Sequence, residues 1–190
     1  MYKRQTYRNP VHFDELPGEK KKLTEVQQEI ADDFIRSYDA GDRTPVLLHG
    51  ITGSGKTEVY MEMIDAMLQR GKQCIVLIPE IALTYQTLLR FYKRFGDAVS
   101  VMHSRLSAGE RYDQMKRAKR GEVQVMIGPR SALFTPFQKL GLIIIDEEHE
   151  TSYKSDSMPK YHAREVAVHL AEMTDACVVM GSATPSLEAN

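Results

Sequence analysis

The chain has 190 residues, of which 42% are hydrophobic and 27% are charged, a length that suits one domain with a substantial core. Its net charge of −1 at pH 7 excludes a generally basic nucleic-acid-binding protein, so contact with DNA or RNA must come from a local patch. The two cysteines lie in apolar runs without a C-x-x-C pattern, which excludes a disulfide framework and a cysteine zinc site. The polar start and short apolar runs indicate a cytoplasmic protein without a membrane span.

Residues 1–22 are polar and irregular, and we interpret them as a linker or tail before a domain that spans 23–190. The first helix is predicted to begin at Thr24, which stands in capping-box spacing with Gln27, and to end at Gly41. Short apolar strands and amphipathic helices alternate after it. The predicted strands are 46–49, 73–78, 99–102, 123–127, 142–145 and 176–180, and the predicted helices are 56–70, 82–95, 108–120 and 162–173.

This alternation predicts the fold class. Apolar, β-branched runs separated by amphipathic helices are typical of a mostly parallel sheet with helices on both faces. The expected fold is therefore a doubly wound α/β domain. Ligands of such sheets bind at the carboxyl ends of the strands.

A glycine-rich segment, G-I-T-G-S-G-K-T, stands between the first predicted strand and the next helix. This context fits a P-loop, whose backbone N–H groups surround the phosphates of ATP. Lys56 is expected to contact the β- and γ-phosphates, and Thr57 to place its hydroxyl on Mg²⁺. The predicted nucleotide-binding residues are Gly50, Thr52, Gly53, Ser54, Gly55, Lys56 and Thr57.

The apolar strand at 142–145 ends in the acidic sequence D-E-E-H. Asp146 fits the carboxylate that is associated with Mg²⁺, commonly through water. Glu147 fits the general base that orients the attacking water. The predicted catalytic residues are therefore Lys56, Asp146 and Glu147.

A P-loop alone does not choose among motors, switches and kinases. A kinase-like enzyme would need an acceptor pocket and an arginine-rich lid, for which the sequence offers no clear segment. A non-translocating switch stays open as an alternative. A degenerate interaction module is disfavoured because Lys56, Thr57, Asp146 and Glu147 are all intact.

The D-E-E-H sequence resembles the D-E-x-H box of superfamily 2 helicases, and further motifs occur in that family's order. They are P-E-I-A-L-T at 79–84, H-S at 103–104, G-P-R-S-A-L-F at 128–134, S-Y-K at 152–154, Y-H-A-R at 161–164 and G-S-A-T-P-S at 181–186. Together these motifs resemble the PriA-type replication-restart helicases over residues 23–189. The resemblance implies that the α/β domain is a RecA-like P-loop NTPase domain, with a mostly parallel sheet and helices on both faces.

The resemblance implies a 3′-to-5′ DNA helicase that acts in replication restart and primosome assembly. Its partners would be single-stranded or forked DNA and other primosome proteins, and it would be cytoplasmic and associated with the nucleoid. Gln27 would contact the adenine. Residues 150–161 resemble a loop that senses single-stranded DNA, by base stacking on tyrosine and phosphate contact by lysine. The implied DNA contacts are Pro79, Glu80, Thr84, His103, Ser104, Arg130, Ser131, Tyr153 and Lys154, and the implied coupling residues are His149, Ser182, Ala183 and Thr184.

Several parts of the family's architecture have no counterpart in this sequence. The second motor domain is absent, together with its arginine finger and the cysteine-rich insertion that binds zinc, so zinc is expected only in that missing part. An arginine finger stabilises charge on the transferred phosphoryl group. We therefore expect this chain alone to bind nucleotide weakly, to hydrolyse it poorly and not to unwind DNA.

Overall fold

The computed structural model describes residue 18 and residues 20–50 and 54–183. The strands are β1 (Val46–His49), β2 (Gln73–Leu77), β3 (Val99–Val101), β4 (Val125–Gly128), β5 (Leu140–Ile145) and β6 (Cys177–Ser182). The helices are α1 (Glu25–Asp39), α2 (Lys56–Gln69), α3 (Tyr85–Phe95), α4 (Ala108–Lys119) and α5 (Ala163–Thr174). Short 3₁₀ helices lie at Glu80–Ala82, Gly96–Ala98, Arg130–Phe134 and Thr151–Tyr153.

The six strands form one parallel sheet in the order β1-β6-β5-β2-β4-β3. The predicted α/β fold with a parallel sheet is confirmed. This order places β6 between β1 and β5, so the segments that follow these three strands meet at one edge of the sheet. Ligands of parallel sheets bind at this edge.

Two apolar layers cover the two faces of the sheet. In β2, the side chains of Cys74 and Val76 pack with α1, α2 and α3, whereas Ile75 and Leu77 pack with α4 and α5. This division follows from the two-residue period of a strand, which sends successive side chains to opposite faces. All of these side chains are fully buried, which explains why the strand is apolar along its whole length.

Helix α1 begins as the sequence predicts. Thr24 accepts a hydrogen bond from the backbone of Gln27, and the Gln27 side chain accepts one from the backbone of Thr24. The helix predicted at 82–95 starts later, at Tyr85, because Thr84 caps it and the preceding residues form a separate 3₁₀ turn. None of the described helices is long and apolar enough to cross a membrane.

Lysines that precede α1 contact the body of the domain. Lys20 Nζ lies 2.7 Å from a carboxylate oxygen of Glu62, and Lys21 Nζ lies 3.7 Å from Glu58, both on α2. The backbone N–H of Gly18 donates to the carbonyl of Lys93 on α3 at 3.0 Å. This short segment therefore lies against α2 and α3.

Candidate functional site

The carboxyl ends of β1, β6 and β5 bring three predicted motifs together. The backbone N–H of Gly50, at the start of the P-loop, donates to the carbonyl of Ser182 at the end of β6. The backbone N–H of Glu148, in the acidic segment, donates to the carbonyl of Gly181. The P-loop, the acidic segment and the end of β6 are thus linked by main-chain hydrogen bonds.

The described part of the P-loop leads directly into α2. Gly55 caps this helix with φ 85°, a left-handed conformation that glycine adopts without a steric penalty. The next residue, Lys56, donates from Nζ to the carbonyl of Gly50 at 2.5 Å, so its side chain folds back over the loop. Ser54 is exposed beside it. The predicted contacts Thr52 and Gly53 lie outside the described residues.

Two of the three predicted catalytic side chains, those of Lys56 and Glu147, lie close together. Lys56 Nζ is 4.0 Å from Oε1 of Glu147, and these side chains are 10% and 27% exposed. Glu147 has φ 50°, which is uncommon for a residue other than glycine. Such strained backbone is found where a side chain must take a defined direction at a functional site. The other oxygen of Glu147 lies 3.4 Å from Nε2 of His149.

Asp146 lies deeper than Glu147. The hydroxyl of Tyr60, on α2, donates to Asp146 Oδ1 at 3.0 Å. Burial raises the pKa of the Asp146 carboxyl above its ordinary value. The hydrogen bond from Tyr60 and, more weakly, the charge of Lys56 act in the opposite direction and lower this pKa. A Cβ atom at Gly181 would lie 1.6 Å from the Tyr60 hydroxyl, so only glycine there allows this contact. Sequence reasoning missed Tyr60, because nothing local in α2 points to a carboxylate 86 residues away.

The residues present fit a magnesium–nucleotide site. Thr57 follows Lys56 in the first turn of α2, and Asp146 supplies carboxylate oxygens directly after the end of β5. Mg²⁺ is commonly held by one or two protein oxygens together with water and phosphate. No group of three or more acidic, histidine or cysteine side chains suited to a metal occurs in the described ranges.

Gln27 contacts the P-loop in this structure. Its Nε2 donates to the carbonyl of Ser54 at 3.3 Å, while its Oε1 accepts the backbone N–H of Thr24 at 3.0 Å. Both ends of the amide are therefore engaged within the chain. The adenine contact implied by the resemblance stays a prediction, and it would require Gln27 to exchange one of these bonds.

The structure brings two of the implied coupling residues into contact. Nδ1 of His149 lies 3.3 Å from Oγ of Ser182, which is fully buried. Ala183 follows directly, and Thr184 lies outside the described residues. Glu148, between the catalytic glutamate and this histidine, is 4% exposed and pairs with Arg164 of α5 at 3.8 Å.

A second groove, of about 740 Å³, opens beyond the carboxyl ends of β2 and β4. Six of the nine implied DNA contacts line it. Its lining residues are Glu80, His103, Ser104, Arg111, Pro129, Arg130, Ser131, Thr151, Ser152, Lys154, Asp156 and Ser157. Arg111, on α4, adds a positive charge to this lining.

Glu80 and Ser104 are paired inside the groove. Both the hydroxyl and the backbone N–H of Ser104 donate to the same carboxylate oxygen of Glu80. These bonds lower the pKa of Glu80 and keep it charged. Since a carboxylate repels phosphate, Glu80 is better suited to orient Ser104 than to contact DNA itself. Burial lowers the pKa of the neighbouring His103, which favours the neutral ring.

Arg130 holds the loop that follows the acidic segment. Its Nη1 donates to the carbonyls of Ser152 and Lys154, each at 2.8 Å. Arg130 begins the 3₁₀ helix Arg130–Phe134. Phe134, at its end, packs edge-on against Tyr161 with ring centroids 5.7 Å apart.

The structure does not support base stacking on Tyr153. Tyr153 is only 1% exposed, and its hydroxyl lies 3.1 Å from the carbonyl of Leu77 and 2.5 Å from that of Asp146. Its ring is thus part of the core and does not offer a face for base stacking. Pro79 is buried and precedes the 3₁₀ turn, and the exposed Thr84 uses its hydroxyl to cap α3, so the DNA contacts implied for these two residues stay predictions.

The chain is similar to curated bacterial proteins named replication restart protein PriA. It is 50% identical to that of Bacillus subtilis over 186 residues, which cover 97% of this chain and 23% of the relative. It is 54% identical to that of Synechocystis sp. over 144 residues, covering 75% of this chain and 17% of the relative. The resemblance expected from the motifs is confirmed, and the chain spans less than a quarter of the length of these relatives.

Solved structures with a similar fold are helicases. RecG bound to a three-way DNA junction matches with a TM-score of 0.66 and 24% identity, over 87% of this chain and 21% of that chain. The DUF1998 helicase MrfA matches with a TM-score of 0.60 and 18% identity, over 87% of this chain and 27% of that one. At these identities the likeness establishes the RecA-like fold of helicase motor domains.

A family model described as type III restriction enzyme, res subunit, matches residues 20–187. This match includes the P-loop, the acidic segment and the whole of the last motif. The chain belongs to the family of the type III restriction enzyme res subunit.

Proposed function

We propose that residues 23–190 form the first motor domain of a PriA-type DNA helicase, and that residues 1–22 connect it to a preceding DNA-binding region. The domain binds ATP and Mg²⁺ at the carboxyl ends of β1 and β5. It contributes part of the track for single-stranded DNA in the 740 Å³ groove. In the whole protein it works in replication restart, with 3′-to-5′ polarity and with primosome proteins as partners, as the PriA relatives suggest.

One observation carries this proposal: the meeting of Lys56, Glu147 and Asp146 at a single edge of the sheet. The ammonium group of Lys56 is 4.0 Å from Glu147, and Asp146 follows the same strand one residue earlier. A cation beside two carboxylates, at the start of a helix, is the arrangement needed to hold a nucleotide triphosphate and activate water.

Each side chain has a distinct part in hydrolysis. Lys56 exchanges the carbonyl of Gly50 for phosphate oxygens and offsets their negative charge. Bound Mg²⁺ supplies further charge neutralisation, and Thr57 and Asp146 are the residues that would hold it. Glu147 accepts the proton of the attacking water, and Lys56, 4.0 Å away, helps to orient its carboxylate.

The DNA groove is connected to this site through the chain. Residues 146–154 run from the carboxylates, past His149, to the loop held by Arg130. Arg111, Arg130 and Lys154 offer positive charge for the phosphate backbone. DNA bound in the groove would change the contacts between Arg130 and the carbonyls of Ser152 and Lys154. The loop that carries these carbonyls is continuous with Glu147, so this change can reach the nucleotide site.

The test measures ATP hydrolysis by a full-length protein that contains this chain, with and without single-stranded DNA. We expect DNA to raise the rate, and Lys56→Ala to lower the stimulated rate by about a hundredfold or more. Lys22→Ala, at an exposed lysine outside both sites, is the matched control and should keep the rate.

Two outcomes would reject the proposal. A rate that is indifferent to DNA would reject the helicase assignment and favour a nucleotide-dependent switch. Full activity of the Lys56→Ala protein would reject the assigned nucleotide site. The isolated chain should hydrolyse ATP poorly in either case, because charge on the transferred phosphoryl group lacks the partner domain's arginine.

A further inference from the structure

A separate groove of about 340 Å³ lies at the opposite edge of the sheet, where β2, β4 and β5 begin. It is lined by Leu68, Gly71, Lys72, Gln73, Lys119, Arg120, Gly121, Gln124, Gln138 and Lys139. Strand β2 has five residues, so about 16 Å separate this edge from the edge with the nucleotide site. Neither the P-loop nor the acidic segment reaches this groove.

Gln73 fixes the shape of the groove floor. Its side chain is 6% exposed, its Oε1 accepts the backbone N–H of Lys139 at 2.9 Å, and its Nε2 reaches the carbonyl of Val123 at 3.5 Å. The starts of β2 and β5 and the approach to β4 are therefore joined by one buried amide. Such a cross-link makes the floor rigid.

Two lysines stand side by side on this floor. Gln73 pairs with Leu140 in the sheet, so the preceding residues, Lys72 and Lys139, are neighbours on strands about 4.8 Å apart. A Cβ atom at Gly141 would lie 2.7 Å from the Cβ of Lys72. The glycine thus lets the aliphatic stem of Lys72 pack closely over β5, while its ammonium group lies at the groove.

The lining is positively charged, and three of its four cations have no carboxylate partner in the described part of the chain, whereas Arg120 lies 4.0 Å from Glu122. Lys72, Lys119, Arg120 and Lys139 are four cations, and no acidic residue is among the lining residues. Within the described residues, no carboxylate lies within salt-bridge distance of the three lysines. By contrast, Arg90 and Arg94 of α3 contact carboxylates at 2.6 and 3.0 Å. In a chain of net charge −1, this groove is a local positive concentration that favours a bound anion.

The remaining lining residues indicate which anion. Gln124 and Gln138 are exposed amides that can donate to phosphate oxygens. No aromatic ring lines the groove, whereas proteins that hold single strands stack bases on aromatic side chains. We propose that this groove binds the phosphodiester backbone of duplex DNA. The inference rests on the proposed function only in taking DNA as the ligand.

The experiment measures binding of this chain to a labelled 20-base-pair duplex, and to a single strand of equal length, by fluorescence anisotropy over a range of salt concentrations. Lys72→Gln/Lys139→Gln should weaken duplex binding and make the slope of log affinity against log salt shallower by about 2. Lys119→Gln/Arg120→Gln provides an independent variant of the same groove, in case the first one fails to fold.

Lys22→Gln/Arg36→Gln removes the same charge from exposed positions before and on α1 and is the matched control. It should change duplex binding much less than the groove variants. Equal losses in both would overturn the inference, because net charge alone would then explain binding. Unchanged duplex binding in the groove variants, or a larger loss for the single strand, would overturn it as well.

Two further arms separate this inference from the proposed function. Arg111→Gln/Lys154→Gln changes the groove at the carboxyl ends and should weaken single-strand binding. If only that variant lowers duplex binding, the inference fails while the proposed function stands. If Arg111→Gln/Lys154→Gln leaves single-strand binding intact and Lys72→Gln/Lys139→Gln weakens duplex binding, the inference stands and the proposed function fails. Poly-glutamate serves as a probe for an acidic protein ligand. If it competes with neither oligonucleotide but binds Lys72→Gln/Lys139→Gln more weakly than the unsubstituted chain, the groove would instead be assigned to acidic protein.

Discussion

Nδ1 of His149 and Oγ of Ser182 lie 3.3 Å apart, and this contact joins the end of the acidic segment to the end of β6. The carbonyl of the same serine accepts the backbone N–H of Gly50 at the start of the P-loop. Ser182 therefore touches both halves of the candidate nucleotide site, once through its main chain and once through its side chain.

Ser182→Ala separates these two contacts. It removes the hydroxyl and keeps the main-chain bond to Gly50, so nucleotide binding should change little. Without the hydroxyl, His149 loses the partner that links Glu147 to β6, and we expect less DNA unwound for each ATP hydrolysed. The measurement compares unwinding and hydrolysis rates of the full-length protein, and Ser182→Thr, which restores a hydroxyl, is the control. A proportional fall in both rates would contradict a coupling role.

Tyr60→Phe tests the hydrogen bond to Asp146. The hydroxyl lowers the pKa of a carboxyl that burial raises, so its removal should raise that pKa further. The acid limb of the ATPase pH profile should then move to higher pH, because Asp146 must be ionised to hold Mg²⁺. Folding should also lose about 1–3 kcal/mol, the usual value for a hydrogen bond to a charged group. An unchanged pH profile would show that Tyr60 acts only through packing.

The sequence was sufficient to predict the five α-helices and six strands that the described residues form, because strand runs and helix caps are local signals. The short 3₁₀ helices were not predicted. Thr24 and Gln27 illustrate such a local signal, since the predicted capping box forms as expected. The order of the strands, in contrast, depends on packing between distant segments. The contact between Tyr60 and Asp146 could not be predicted for the same reason. It needs two elements 86 residues apart and a glycine at position 181 on a third.

The burial of Tyr153 shows a second limit of local reading. An aromatic residue beside a lysine in a polar loop is a reasonable pattern for DNA contact. The structure instead turns the tyrosine into the core and leaves Lys154 exposed. A single short 3₁₀ turn, Thr151–Tyr153, decides this direction, and nothing in the local composition distinguishes the two arrangements.

Tyr153→Phe and Lys154→Gln should therefore affect different properties, the first the stability of the fold and the second the binding of DNA. The first removes a buried hydroxyl that contacts the carbonyls of Leu77 and Asp146, and should lower the free energy of unfolding by about 1 kcal/mol without changing DNA affinity. The second should leave stability unchanged and reduce the salt slope of single-strand binding by about 1. Chemical denaturation and anisotropy measure the two quantities. Loss of DNA affinity in a stable Tyr153→Phe protein would restore the tyrosine as a contact.

Asp146→Asn should stabilise the fold while it removes activity. Burial raises the pKa of Asp146 above its ordinary value of 3.8, so the folded state holds this proton more tightly than the unfolded state. Between the ordinary and the raised pKa, the free energy of unfolding falls as pH increases, and the full cost is present at neutral pH. Asparagine removes that charge and can still accept the Tyr60 hydrogen bond. We expect a higher Tm at pH 7 and a smaller difference between pH 4 and pH 7 than in the unsubstituted chain. Asp156→Asn, at an exposed carboxyl, is the control and should change neither the Tm at pH 7 nor its difference from the Tm at pH 4. A lower Tm for Asp146→Asn at pH 7 would contradict the prediction, because the charged carboxylate would then stabilise the fold.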